Sequence, residues 1–172
     1  MWKPNRIKSD LQQIDWRCAA IGAAIVLACG IFSAALTALC GGRGAMYYML
    51  VKPPLSPPRV LFPLVWTILY ILIGGAAGAI WCSHCCGDAQ KYKGLLFFSI
   101  MMVFNIVWSP LFFAGNAYFL ALIDIFIMIV LTVLTICWFG RCNAACALAM
   151  AIYLVWLLFA FYLNLGIVLY NT

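Results

Sequence analysis

Leu61-Phe62-Pro63-Leu64-Val65-Trp66-Thr67-Ile68-Leu69-Tyr70-Ile71-Leu72-Ile73-Gly74-Gly75-Ala76-Ala77-Gly78-Ala79-Ile80-Trp81 contains no charge. A helix rises about 1.5 Å per residue, so about 20 apolar residues cross a ~30 Å hydrocarbon core. With its flanks this run predicts a membrane helix over about residues 59–82. Four similar runs surround it, at about 18–40, 94–114, 117–139 and 144–170. Backbone groups in lipid must be satisfied within the protein, and the runs lack the alternating polarity of barrel strands. The fold class expected is all-α: an integral membrane bundle of five transmembrane helices.

The 172 residues are 68 % hydrophobic and 8 % charged, which excludes a soluble core, and the five spans and short loops account for nearly all of them. Two units are expected: residues 1–17 as a tail or interfacial helix, and 18–172 as the five-helix domain. Ser9 and Gln12 stand at capping-box spacing, and Ile7, Leu11 and Ile14 recur at i, i+4, i+7. The first run is too long for a signal-peptide core, so it is expected to be retained. The net charge of +6 reads as topology, with no nucleic-acid partner implied. Seven basic residues (Lys3, Arg6, Lys8, Arg17, Lys91, Lys93, Arg141) fall on the N-terminal side and three (Arg43, Lys52, Arg59) on the other. The positive-inside rule places the N-terminus in the cytoplasm.

Between the first two runs lies Lys52-Pro53-Pro54-Leu55-Ser56-Pro57-Pro58-Arg59. Four prolines fix φ and extend the residues before them, predicting a stiff cover at the mouth of the bundle. In the second run Phe62, Trp66, Tyr70 and Ile73 share a face, and Gly74 and Gly78 permit close helix approach. In the third, Asn105 and Trp108 are i, i+3 neighbours with Phe112 a turn on. Pro110 cannot donate to the Ile106 carbonyl, which predicts a kink or an early end. An amide at membrane depth wants a partner, from another helix or a ligand. Asp124, the acid within the fourth run, is expected to face the bundle and bond a neighbouring helix. Trp156, Ala160 and Asn164 recur at i, i+4, i+8, leaving room for something flat or for a closely packed helix.

Cysteines at 18, 29, 40, 137 and 146 read as small hydrophobes in or beside the spans. Cys82, His84, Cys85 and Cys86 cluster in a loop, as a metal site, a disulfide or a plain connector. The cluster lacks the second half of a usual zinc pair, so no metal site is assigned.

The ordered set resembles the translocator protein family, also called tryptophan-rich sensory proteins or peripheral benzodiazepine receptors. It comprises Tyr47 with Lys52-Pro53, Pro57-Pro58, Pro63 to Tyr70, Asn105-x-x-Trp108-x-Pro110-x-Phe112-Phe113, Ala121-x-x-Asp124 and Trp156-x-x-Phe159-Ala160-x-x-Leu163-Asn164. The resemblance implies a five-helix bundle, commonly a homodimer, held in the lipid of a bacterial cell membrane.

The same resemblance implies a pocket under the loop between the first two spans, lined at Tyr47, Phe62, Trp66, Tyr70, Asn105, Trp108, Phe112, Trp156 and Ala160. Implied ligands are porphyrins such as protoporphyrin IX, isoquinoline- and benzodiazepine-type small molecules and, in some members, cholesterol. Light-dependent porphyrin breakdown is implied for bacterial members, with Trp66 and Trp156 in the catalytic role. Stacked indoles suit a flat ring system, and Arg59 or Lys52 at the mouth would meet its propionates. His84 is the sole histidine and no haem-iron ligand set is present, so free-base porphyrin fits better than haem, and no cofactor is expected. No basic residue follows Tyr170, so the proposed cholesterol pattern is incomplete. A carrier of tetrapyrrole or lipid and a non-catalytic sensor are the alternative functions. Five spans do not divide into the matched halves usual for transporters.

Overall fold

The structure is a computed structural model and describes residues 4–41, 49–58, 60–84 and 86–171. Six helices occur among the described residues: α1 (Pro4–Gln12), α2 (Trp16–Leu39), α3 (Leu61–Trp81), α4 (Asp88–Phe113), α5 (Tyr118–Cys142) and α6 (Ala144–Asn171). Helices α2 to α6 are long and apolar enough to span a bilayer. They close into a ring in which α2 packs on α3, α3 on α6, α6 on α5, α5 on α4 and α4 on α2. Outward faces carry exposed Ile21, Phe32, Ile68 and Val103, as lipid contact requires. Met101, Ile125, Met128, Met150, Tyr153 and Leu157 are among the most deeply buried side chains.

The five spans lie where the apolar runs predict, but α4 starts six residues before the expected 94. Its first turn is polar, so hydropathy misses it. Gly87 is the extended N-cap, Asp88 lies in the first turn, and Lys91 pairs with Asp88 at 3.4 Å. The helix also runs through Pro110 to Phe113 rather than ending early. The carbonyl orphaned by the proline is satisfied from outside: Ser33 Oγ on α2 donates to the Ile106 oxygen at 2.8 Å.

Of the two forms expected for the N-terminal segment, a tail or a short helix, residues 4–12 take the helix, but not through a capping box. Ser9 lies inside α1 and donates to the Arg6 carbonyl. Helix α1 docks on the start of α6. The Asp10 carboxylate accepts the Ala144 amide at 2.7 Å, and the Asn143 side chain donates to the Asp10 carbonyl at 3.0 Å. A carboxylate there complements the positive end of α6.

Helices α2 and α3 meet along glycines. A Cβ on Gly74 would fall 2.6 Å from the Gly22 carbonyl oxygen, and one on Gly78 would collide with the Cys18 carbonyl. Lipid is as apolar as leucine, so such close packing is what drives association in the bilayer.

The cysteines depart from expectation. Disulfides join Cys18 to Cys82 and Cys86 to Cys142. Cys18 is therefore no simple small hydrophobe, and Cys82 and Cys86 do not sit in a plain connector. Each pairs with a helix end far away in sequence, which local spacing does not disclose. Cys85 lies outside the described residues.

Candidate ligand-binding site

A cavity of about 730 Å³ opens between α2, α3 and α4, in the half of the bundle away from α1. Phe62, Trp66 and Tyr70 reach it from successive turns of α3. Asn105, Trp108, Ser109 and Phe113 line it from α4, and Gly30, Ser33 and Thr37 from α2. Gly30 is required where it stands, because a Cβ there would enter the Tyr70 ring.

A hydrogen-bonded chain runs from the cavity lining into the interior. Tyr70 Oη donates to Asn105 Oδ1 at 2.6 Å, and Asn105 Nδ2 donates to Tyr153 Oη at 2.6 Å. Tyr153 Oη lies 4.0 Å from Met128 Sδ. This chain joins α3, α4, α6 and α5 and supplies the partner that an amide at membrane depth needs. On the other wall Thr37 Oγ1 donates to the Ser33 carbonyl, and the Ser109 hydroxyl lies 2.9 Å from Thr37 Oγ1.

Trp66 is the aromatic hub. Its ring lies 5.4 Å from Tyr70, 6.3 Å from Trp108 and from Tyr153, and 6.4 Å from Trp156. Of the expected site residues, Phe62, Trp66, Tyr70, Asn105 and Trp108 line the cavity together. Phe112 does not line it: it is buried and stacks on Trp108 at 5.1 Å, so it supports the wall. Trp156 and Ala160 are also absent from the lining. Trp156 stands edge-on to Trp66 and Phe62, and Ala160 is buried. The ring order explains this, because α6 packs on α3 while the cavity opens between α2 and α4. Tyr47 and Arg59 lie outside the described residues. Asp124 is buried as expected, but its Oδ2 has no hydrogen-bond partner, so that oxygen makes no bond to a neighbouring helix.

Sequence reasoning missed the α2 wall. Gly30, Ser33 and Thr37 stand at i, i+3, i+7, a small and polar stripe within an apolar run, and that periodicity was the available signal.

The proline-rich segment straps the end of α6. Val51 N–H donates to Asn171 Oδ1, and Asn171 Nδ2 donates to the Val51 carbonyl, both at 2.9 Å. Tyr162 Oη donates to the Pro54 carbonyl at 3.0 Å. The Pro53 ring lies so close to Gly166 that a Cβ there would be 2.5 Å from it. The strap thus sits at the same end of the bundle as the cavity.

A family profile described as the TspO/MBR family matches residues 22–170. A tryptophan-rich protein TspO of Chlorobaculum tepidum is 36 % identical over 129 residues, covering 73 % of this chain and 78 % of its own. A tryptophan-rich sensory protein of Cereibacter sphaeroides is 30 % identical over 143 residues, covering 83 % and 84 %. A translocator protein of Bos taurus is 29 % identical over 124 residues, covering 72 % and 73 %.

Proposed function

Because this chain belongs to the TspO/MBR family and is an integral membrane protein of five spans, we propose that it binds a flat tetrapyrrole of the protoporphyrin class between α2, α3 and α4. Isoquinoline- and benzodiazepine-type molecules are ligands of the same site in this reading. One observation carries it: a cavity of about 730 Å³ combines the indoles of Trp66 and Trp108 with the Asn105 amide. That size and lining suit a rigid aromatic ligand anchored by a few polar groups. Indole faces stack on the ring, and the Asn105 and Ser109 side chains orient its polar edge. Lys52 on the strap supplies a cation for a propionate.

The test is titration of the purified protein with protoporphyrin IX, followed by quenching of tryptophan fluorescence. Trp66→Ala should weaken binding by about 1–3 kcal/mol, the scale of one lost stacking and packing contact. Equal affinity for parent and variant would overturn the site.

The contact between Trp66 and Trp156 favours a second reading, light-dependent conversion of the bound porphyrin. Trp66 lines the cavity and Trp156 stands 6.4 Å behind it. Excited porphyrin takes one electron from the Trp66 indole and Trp156 refills that hole; dioxygen then adds to a carbon of the reduced ring, and the adduct returns the electron to Trp156, so the ring gains both oxygen atoms and the indoles are restored. Trp66→Phe and Trp156→Phe should retain most binding and lose most conversion under illumination. If the parent converts nothing in light and oxygen, the protein is a binder only. Vesicle flux of porphyrin then separates a carrier from a sensor.

A further inference from the structure

Two signals at the α1 end of the bundle conflict. Seven of the ten lysines and arginines belong to that side, which the positive-inside rule assigns to the cytoplasm. Both sulfur pairs lie at the same end, and cytoplasmic thiols are kept reduced. In that compartment Cys18 and Cys82 are two thiols held side by side, and the structure places a third donor with them. A carboxylate oxygen of Asp15 and the two Sγ atoms all lie within 4.8 Å of one another.

We infer that reduced Cys18 and Cys82, with Asp15, form a binding site for zinc or a similar thiophilic divalent cation. Donors on one tetrahedral zinc lie about 3.5–3.8 Å apart, from Zn–S near 2.3 Å and Zn–O near 2.1 Å. The two sulfurs, joined here as a disulfide, must therefore move apart once reduced, and the Asp15 oxygen already lies within 4.8 Å of both. Asp15 is already fixed, because its Oδ1 caps α2 by accepting the Arg17 and Cys18 amides. Asp15 is exposed, and both cysteines are half-buried, so an ion has access from water.

The chemistry balances. A dithiol reductant gives two electrons and two protons to the Cys18–Cys82 bond and leaves as its own disulfide. Zinc then displaces one proton from each thiol and forms two Zn–S bonds. Two thiolates and a carboxylate bring about −3 to an ion of +2, and the residual negative charge suits the positive start of α2. Three protein ligands leave the fourth position to water. The link between α2 and α3, the two helices that wall the cavity, thus persists in either redox state: sulfur to sulfur when oxidised, through metal when reduced.

The experiment uses the full chain in detergent micelles with Cys86→Ser and Cys142→Ser, so that one pair remains. After reduction with a phosphine and removal of metal, zinc chloride is titrated against a chromophoric chelator. Cadmium gives a thiolate-to-metal absorption band as an independent readout. One zinc per chain should bind the reduced form, at least about 100-fold tighter than the oxidised form. Adding Cys18→Ser should abolish the cadmium band. Asp15→Asn should weaken zinc by about 10–100-fold while keeping the helix cap, since asparagine caps as well as aspartate. Absence of binding at micromolar zinc, equal binding by the oxidised form, or an undiminished band in the Cys18→Ser variant would each overturn the site. If the double serine variant does not fold, the parent chain answers the same question: reduced parent should hold one more cadmium than its Cys18→Ser variant, and equal counts would refute the inference.

Discussion

Helices α2 and α3 touch at one end of the membrane and part at the other, and a single ridge of α3 accounts for both. Phe62, Trp66, Tyr70, Gly74 and Gly78 follow one another at i, i+4 steps. On the glycine half the backbones meet at Gly22. On the aromatic half the same row lines the cavity, and Tyr70 presses against Gly30. A ridge without side chains lets a partner helix sink in, and a ridge of rings holds it off. The packed end supplies rigidity, and the open end supplies space.

The most damaging way to break this contrast is to put a side chain into the seam. Gly78→Leu should cost more than about 3 kcal/mol, since its Cβ collides with the Cys18 carbonyl and backbone cannot give way. Gly75→Ala, one ridge over, meets nothing closer than the Ala19 oxygen at 3.8 Å and should be neutral or slightly stabilising. Thermal midpoints in micelles compare the two, and equal effects would dissolve the distinction between seam and surroundings.

At the open end, Asn105→Leu removes both hydrogen bonds of the Tyr70–Asn105–Tyr153 chain. At about 0.6–1.7 kcal/mol for each bond within a membrane, the loss should be about 1–3 kcal/mol. Porphyrin affinity should fall alongside. A variant with parental stability would mean that the chain orients a ligand without holding the bundle.

Ser33→Ala sharpens the comparison where the two ends join. It leaves the Ile106 carbonyl, already without a donor because of Pro110, unpaired. A loss of about 1 kcal/mol is expected, measured by the same melting curves. No loss would indicate that water entering from the cavity replaces the hydroxyl.

The smallest effect on stability belongs to the strap. Asn171→Ala should change the melting midpoint little, within about 0.5 kcal/mol, because the Val51 bonds are exposed. It should instead speed porphyrin release several-fold in stopped-flow displacement. An unchanged release rate would show that the strap does not gate the cavity.

The spans were legible because hydrocarbon imposes length and polarity on each helix separately. The glycine seam and the aromatic ridge of α3 were legible for the same reason, since both are periodic within one element. What escaped depends on which helix stands beside which. Trp156 and Ala160 share a face that sequence reads as room for something flat or for a closely packed helix, and only the ring order, with α6 against α3, says what stands beside it. Ser33 went unread in its apolar run because the carbonyl it serves lies 73 residues away. The cysteine partners are 64 and 56 residues apart, and spacing within the loop carries no trace of them.

The strap has a consequence for how the protein is made. It follows the first span in the chain, but its anchors on Asn171 and Tyr162 are 120 and 108 residues downstream. Synthesis delivers the chain from its N-terminus. The α2–α3 seam is therefore available soon after insertion begins, whereas the strap waits for the last helix. A nascent chain therefore passes through a stage in which α2, α3 and α4 already wall the cavity while the strap at the same end is still unanchored.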